Sequence, residues 1–273
     1  MERIKTGIAG FDELIQGGIP EGFNVLVAGA PGTGKTIFGL QYLYEGAMEG
    51  QNGVYVSLET SYGAAKFQGD QFGWDINKLE TDGKLSVLEV PLDKSKINLF
   101  EMIEEEVADI KAKRLVFDSL AAFAINMDQF AIPLGKDGDV SPLVKKSTSL
   151  LKDKKSKYDV MPEMGMDSKG RFFYAGDSEK RITYLLINEL AKLGTTNLVI
   201  TDANNGDTQL TVDGVSEYVC DGLLFLDILE TSTGNPRIMQ IKKMRETNHR
   251  LDQIPFEINS RGIVLKPIEG FLG

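Results

Sequence analysis

Short apolar runs recur along the chain at lengths typical of strands in a buried parallel sheet. Most of the segments between them repeat apolar residues every three or four positions, which is the period of a helix packed on one face. This alternation predicts an α/β doubly wound fold, with a mostly parallel sheet and helices on both faces. The predicted strands are Asn24–Ala28, Gly53–Leu58, Lys84–Val90, Arg114–Asp118, Thr196–Thr201 and Gly222–Leu226.

Three of the intervening segments have a clear helical face. After the last predicted strand the pattern changes, because Arg237–Ile241 and Phe256–Ile258 are typical of antiparallel hairpins with polar turns. A C-terminal hairpin region is therefore predicted beside the parallel sheet. The helical faces are formed by Ile37, Leu40, Gln41, Tyr44 and Ala47, by Ile97, Phe100, Ile103, Val107 and Ile110, and by Leu185, Leu186, Glu189, Leu190 and Leu193.

Residues 128–178 do not follow this alternation. They contain three prolines, and seven lysines stand against three aspartates between residues 136 and 157. Long irregular stretches are most often insertions, so this one is interpreted as an inserted, partly mobile surface excursion. The alternative is a contact surface for a protein partner or for nucleic acid.

Composition excludes several classes of site. The net charge is −10 and the isoelectric point about 4.8, so the surface as a whole repels nucleic acid and anionic membranes. Cys220 is the single cysteine, which excludes an intramolecular disulfide, and His249 is the single histidine, which excludes a His-rich metal site. No apolar run approaches the roughly 18 residues of a membrane span, and the N-terminus lacks a signal-peptide pattern. A cytoplasmic protein without a membrane association is expected.

The strongest chemical signal is a glycine-rich loop between the first predicted strand and the first predicted helix. Glycines let successive backbone N–H groups turn toward a bound triphosphate, and the following helix adds the positive end of its dipole. In this pattern the lysine reaches the β- and γ-phosphates and the threonine hydroxyl ligates Mg²⁺. The predicted phosphate-binding residues are Gly29, Ala30, Pro31, Gly32, Thr33, Gly34, Lys35 and Thr36.

Two carboxylates follow predicted strands and complete this chemistry. Asp118 ends the apolar run of the fourth strand, where a Walker B carboxylate faces the Mg²⁺ site, so the metal ligands are predicted to be Thr36 and Asp118. Glu59 follows the second strand and is the candidate that polarises the attacking water. The alternative roles are structural: a helix cap for Asp118, and an N-cap or solvated surface position for Glu59.

Further motifs resemble the KaiC family of RecA-superfamily ATPases over nearly the whole chain. The phosphate-binding loop is shared by many nucleotide hydrolases, and the motifs near the C-terminus make the resemblance specific. The chain looks like a single-domain member spanning residues 1–273, in which 128–178 is longer than the family's corresponding connection. The matching segments are 5–12, 17–22, 41–44, 72–75, 83–85, 117–119, 214–219, 243–249 and 255–259.

The resemblance implies a RecA-like fold and an ATPase that binds ATP and Mg²⁺. It places the catalytic carboxylate at Glu59, and it adds Phe38 to the nucleotide-binding residues. The family usually has two adjacent acids where this chain has Glu59 followed by Thr60, so slow hydrolysis is expected. In the clock protein's autokinase half a Ser-Thr pair is phosphorylated, but the matching positions here are Glu217 and Tyr218, so autokinase activity is not expected.

The resemblance also assigns a role to a basic strand near the C-terminus. Lys243, Arg245 and His249 match positions that reach the nucleotide of a neighbouring subunit. Residues two apart on a strand project to the same side, so Lys243 and Arg245 could stabilise charge on a γ-phosphate as arginine fingers do. The alternative is an exposed basic strand edge. Sites shared in this way imply a homo-oligomeric ring, with a hexamer expected.

Three functions remain open from the sequence. The first is a slow regulatory ATPase whose ring reports nucleotide state to an unidentified protein partner. The second is a RecA-like, DNA-dependent ATPase of DNA repair, which only the lysine cluster at 136–157 favours. The third is an ATP-binding scaffold that does not hydrolyse. The acidic surface favours the first over the second.

Overall fold

The computed structural model describes residues 1–59, 62–92, 97–130, 164–166, 172–174, 178–203, 210–232 and 234–266. Most of the predicted excursion at 128–178, including the lysine cluster, therefore lies outside the described residues. The strands are β1 Arg3–Ile4, β2 Ile19–Pro20, β3 Asn24–Gly29, β4 Gly53–Ser57, β5 Leu85–Glu89, β6 Arg114–Asp118, β7 Met164–Met166, β8 Phe172–Tyr174, β9 Thr196–Asp202, β10 Gly222–Ile228, β11 Arg237–Met244, β12 Ile254–Asn259 and β13 Gly262–Leu265.

The helices alternate with the strands of the central sheet, as the apolar pattern predicts. Short 3₁₀ helices cover Asp12–Ile15 and Met127–Gln129. None of the described helices is long and apolar enough to cross a membrane. The α-helices are α1 Lys35–Met48, α2 Tyr62–Gln71, α3 Ile76–Thr81, α4 Leu99–Asp109, α5 Leu120–Ile125, α6 Ser178–Leu190 and α7 Ser216–Val219.

The central sheet of the described part has nine strands in the order β13-β12-β11-β10-β3-β9-β6-β4-β5. The strands from β10 to β5 in this order run parallel, while β11, β12 and β13 add to the β10 side as antiparallel neighbours. The RecA-like fold class and the C-terminal antiparallel region are therefore confirmed. Because the carboxyl ends of parallel strands share one edge, the residues that follow β3, β4, β6 and β9 lie near one another.

Two hydrophobic layers explain why the central strands are apolar throughout. Every residue of β3, β4 and β6 is buried. One layer packs α1 and α3 against the sheet together with the C-terminal strands, and the other packs α4, α5 and α6 against the opposite face. A sheet covered on both faces leaves no solvent side for alternating polar residues, so the strands read as continuous apolar runs.

The helices differ from the sequence prediction in two details. The first helix is buried around most of its circumference, because Phe38, Tyr42 and Leu43 are also fully buried, outside the predicted stripe. Ile97 is not part of a helix: it forms an isolated bridge with Phe130 before α4 begins. Periodicity detects the face toward the sheet, but it does not register the second contact that the C-terminal strand β13 makes with α1.

Candidate functional site

The loop between β3 and α1 has the geometry of a phosphate cradle. Gly32 and Gly34 have φ angles of 80° and 106°, a left-handed conformation that glycine adopts without strain. A side chain at Gly29 would also be excluded, because its Cβ would lie 2.5 Å from the Leu226 carbonyl oxygen and 2.8 Å from the Thr33 hydroxyl. The glycines therefore serve both the curvature of the loop and its packing against β10.

Backbone donors of this loop are available to a ligand. Within the described chain, the N–H groups of Gly32, Gly34, Lys35 and Thr36 make no hydrogen bond to another residue. They stand at the N-terminus of α1, a helix of 14 residues, where the helix dipole favours an anion. Unpaired amides around an open glycine loop fit a bound phosphate group.

Lys35 is held inside the loop by three oxygen atoms. Its ammonium donates to the carbonyl oxygens of Gly29 at 2.7 Å and Ala30 at 3.2 Å, and it pairs with the Asp202 carboxylate at 3.1 Å. Asp202 ends β9, and its register partner on β3 is Gly29. Sequence reasoning missed Asp202, although an apolar strand ending in an acid is the same signal that identified Asp118.

Asp118 lies at the centre of a buried hydrogen-bond cluster. One oxygen of its carboxylate accepts from the Thr36 hydroxyl at 2.8 Å and from the Tyr55 hydroxyl at 2.7 Å. Burial raises the pKa of Asp118, and these two hydrogen bonds oppose the shift. Sequence reasoning missed Tyr55 because a tyrosine in an apolar strand is expected to be a buried core residue. Only its position on β4, next to β6, brings its hydroxyl to the carboxylate.

These oxygens suit a Mg²⁺ ion that keeps much of its water and phosphate coordination. The predicted ligands Thr36 and Asp118 lie side by side, and both are hard oxygen donors. Within the described residues, no group of three or more His, Cys, Asp or Glu side chains could hold a metal on its own. A hydroxyl and a carboxylate side by side are compatible with Mg²⁺, which is commonly bound through one or two carboxylates together with substrate phosphates.

Glu59 lies beside this cluster, on the adjacent strand end. Its carboxylate accepts a hydrogen bond from the Ser119 hydroxyl, and Ser119 is joined to Asp118 by a cis peptide bond. Glu59 is exposed, whereas Asp118 is only 2% exposed. The two acids predicted from the sequence therefore come together in different environments, one buried against α1 and one facing solvent.

Arg237 also contacts the phosphate loop and was not among the predicted residues. It begins β11, and its Nε and Nη2 atoms both donate to the Gly32 carbonyl at 3.3 Å. Because β11 runs antiparallel to β10, its first residue lies at the carboxyl edge of the parallel strands. Only the strand pairing reveals this proximity.

Lys243 and Arg245 lie at the opposite edge of the sheet from the loop. The backbone N–H of Arg245 donates to the Asp221 carbonyl, and the N–H of Asp221 donates to the Asn24 carbonyl. Asn24 is the first residue of β3, which ends at Gly29. A strand rises by about 3.3 Å per residue, so Asn24 lies about 16 Å from Gly29 and the loop. This distance is more than a side chain spans. Neither cation therefore reaches the phosphate loop of its own chain.

The remaining predicted nucleotide residues lie outside the cradle. The Phe38 side chain is fully buried and packs edge-on against Phe11, with ring centroids 5.7 Å apart, so in this structure it belongs to the core. His249 is half-buried beyond the end of β11, and its Nδ1 atom lies 3.2 Å from the Arg250 carbonyl oxygen. It lies on the part of the chain that follows Lys243 and Arg245, away from the phosphate loop.

Comparison with known proteins points to one family. A family model described as KaiC ATPase matches residues 4–131 and 151–270. The UPF0273 protein of Thermotoga maritima is 29% identical over 99% of this chain and 98% of its own length. The UPF0273 protein of Pyrococcus furiosus is 30% identical over 98% of this chain and 95% of its own length.

A longer relative and a solved structure agree with this match. The circadian clock protein KaiC3 of Synechocystis is 28% identical over 98% of this chain, and the match spans 46% of that protein. The crystal structure of a KaiC-like protein from Pyrococcus horikoshii superimposes with a TM-score of 0.72 and 32% identity, covering 97% of this chain and 99% of that one.

Proposed function

Because this chain belongs to the KaiC family of ATPases, we propose that it binds Mg-ATP at the loop from Gly29 to Thr36 and hydrolyses it to ADP and phosphate. One observation carries the proposal: Lys35, Thr36 and Asp118 meet beside the unpaired amides of an open glycine loop. An ammonium, two metal-ligating oxygens and free N–H donors at one point match the requirements of a bound triphosphate.

Each side chain has a distinct part in this proposal. The Lys35 ammonium would move from carbonyl oxygens and Asp202 to the β- and γ-phosphates. Thr36 and Asp118 would hold Mg²⁺, which supplies neutralisation of the charge on the transferred phosphoryl group. Because Asp118 is buried, the Tyr55 hydroxyl that donates to it fixes the carboxylate toward the metal position.

Glu59 is the proposed base that orients the attacking water. Its exposure leaves the carboxylate accessible from solvent, and the Ser119 hydroxyl restrains one of its oxygens. The second oxygen remains for a water molecule. The absence of a second acid after Glu59 supports a slow enzyme, in keeping with a regulatory ATPase.

We extend the proposal to a homo-oligomeric ring, with a hexamer expected, in which Lys243 and Arg245 act on the neighbour's ATP. The support is their position at the edge opposite their own phosphate loop, which leaves them no reach to the nucleotide that their own chain binds. His249 would contribute to the same shared site. Residues 1–273 would form one domain with an excursion at 128–178, and the family model matches on both sides of residues 132–150.

The test measures ATP turnover by the full chain with and without single-stranded DNA, with molar mass by light scattering in the presence and absence of ATP. We expect slow turnover that DNA does not stimulate, and a ring that nucleotide stabilises. Several-fold stimulation that high salt abolishes would instead establish the DNA-dependent alternative. ATP binding without turnover would establish the scaffold, and a monomer at all ATP concentrations would contradict the ring.

Autokinase activity is not part of the proposed function. Ser216 and Thr211, the hydroxyl residues near the family's phosphorylated position, are both fully buried, and the Ser216 hydroxyl donates to Asp213. The Glu217 carboxylate accepts from the Leu210 N–H. Mass spectrometry after incubation with Mg-ATP should find no phosphorylated residue between 208 and 220, and finding one there would overturn this part of the proposal.

A further inference from the structure

Lys243 and Arg245 lie at the amino edge of the sheet, the edge where the parallel strands begin. Both side chains donate hydrogen bonds to the same short backbone segment. Lys243 donates to the carbonyl oxygens of Glu217, Tyr218 and Cys220, and Arg245 donates through Nη2 to the same Tyr218 carbonyl. Both side chains therefore project to the same side. We call Lys243 and Arg245 the basic pair.

Asp221 is the carboxylate that orients the arginine of this pair. One of its oxygens accepts from Arg245 Nη1 at 2.9 Å, and the other accepts from the Asn24 N–H at 3.1 Å. The Asp221 backbone is bonded to the same two residues, accepting from the Arg245 N–H at 3.0 Å and donating to the Asn24 carbonyl at 2.8 Å. Four hydrogen bonds thus join Arg245 to the first residue of β3 through a single residue.

This arrangement restrains the Arg245 side chain without using all of the N–H donors of its guanidinium. Its side chain remains 50% exposed, and a guanidinium has five N–H donors. Two nitrogen atoms are directed at Asp221 and Tyr218, which leaves donors for an external anion. An unrestrained arginine would lose side-chain entropy on ordering, and a carboxylate already in place reduces that loss.

We propose that Asp221 is a positioning residue: it holds Arg245 for the nucleotide of the neighbouring subunit, and it anchors that arginine to β3, the strand that carries the phosphate loop of its own chain. The inference rests on the shared site of the proposed function. It adds that the Asp221–Asn24 link makes one rigid connection between the loop that binds one ATP and the arginine that acts on the next.

The first experiment compares Asp221→Asn and Arg245→Ala, singly and together, in ATP turnover by the full chain. We expect Asp221→Asn to lower kcat by about 10- to 100-fold, the scale of losing a catalytic orientation, while the Kd for ATP changes less than twofold. Added to Arg245→Ala, the same substitution should have no further effect, because it acts through Arg245. Additive losses, an unchanged kcat or a raised kcat would each contradict the proposal.

The matched control is Asp82→Asn, which removes the carboxylate of an exposed ion pair with Lys78 at 3.0 Å, between α3 and the edge strand β5. Its kcat should equal that of the wild type. If Asp221→Asn does not fold by circular dichroism, Asp221→Glu and Arg245→Lys replace it in the same comparison. Glutamate keeps the charge but shifts it, and lysine cannot bridge Asp221 and Tyr218. Each should lower kcat at an unchanged Kd, and wild-type kcat in both would overturn the proposal.

A mixing experiment separates this inference from the shared site itself. Subunits carrying Lys35→Ala keep an intact basic pair but lack a working loop, so mixing them with Arg245→Ala subunits should restore turnover at a composite site. Mixing them with Asp221→Asn subunits should restore it equally. No recovery in the first mixture contradicts the shared site and with it this inference. Recovery in the first but not in the second contradicts the role of Asp221 alone.

Discussion

The two edges of the central sheet hold their charged groups in different ways. At the carboxyl edge, Lys35 and Asp118 each have a side-chain partner on another strand, Asp202 and Tyr55, which lie far away in the sequence. The remaining contacts come from the phosphate loop and from the start of α1. At the amino edge, the basic pair is held mainly by carbonyl oxygens of residues 217–220, just before β10.

Under the proposed function, this difference corresponds to two kinds of half-site. The carboxyl edge gathers free amides, a lysine and metal-ligating oxygens, which together can enclose a triphosphate. The amino edge holds two cations that are bonded to backbone carbonyl oxygens. These cations can act only on an anion that comes from outside the chain. The comparison therefore favours a site assembled from two copies, and the following experiments test each half.

The largest expected effect concerns Glu59 at the carboxyl edge. Glu59→Gln keeps the shape of the side chain but removes the base, so turnover should fall by about 10²- to 10⁴-fold while ATP still binds. Steady-state turnover and nucleotide titration measure the two properties. Glu105→Gln, an exposed glutamate on α4, is the control. Wild-type turnover in the Glu59 variant would remove this residue from the mechanism.

At the amino edge, Arg245→Ala should lower kcat by about 10²-fold, the scale of removing one group that stabilises transition-state charge. Binding should change little, because the phosphate loop of the same chain is untouched. Arg261→Ala, which alters an exposed arginine between β12 and β13, serves as the control in the same kinetic assay. Unchanged kinetics for Arg245→Ala would defeat the division into two half-sites.

The buried acid at the carboxyl edge should weaken folding in the absence of metal. Burial raises the pKa of Asp118, so its ionised form lowers the free energy of unfolding at neutral pH, and this penalty disappears as the pH falls through the raised value. The free energy of unfolding of Asp118→Asn, measured in urea at pH 7, should therefore be at least that of the wild type. A gain would be on the order of 1 kcal/mol. The gap should close toward acid pH, and a variant less stable than the wild type would contradict this account.

The smallest expected effect is a pH dependence of the amino edge. Burial, and then the charge of Arg245, lower the pKa of Lys243 below its usual range. Turnover should therefore decline on the alkaline side as Lys243 loses its proton. Lys243→Arg should move that decline to higher pH, with a few-fold difference in activity on the alkaline side, because arginine stays charged. Identical alkaline profiles would exclude Lys243 titration.

The fold could be predicted well from the chain because its strands are buried on both faces. Apolar runs such as Arg114–Asp118 need no partner to be recognised, and the first helix follows from its period. The prediction was weaker where a second surface covers an element, as α1 shows, and at Ile97, which pairs with Phe130 rather than entering a helix. The spacing of apolar residues reveals one buried face of a helix. It does not reveal a contact from a strand that is distant in the sequence.

For the candidate site, the sequence by itself determined the glycine loop, its lysine and threonine, and the acids Glu59 and Asp118. Each of these follows from local chemistry at the end of a strand. Only the tertiary structure decided that Asp202 pairs with Lys35, that Tyr55 donates to Asp118 and that Asp221 supports Arg245. These contacts depend on strand order and register, which bring together residues that no local pattern connects.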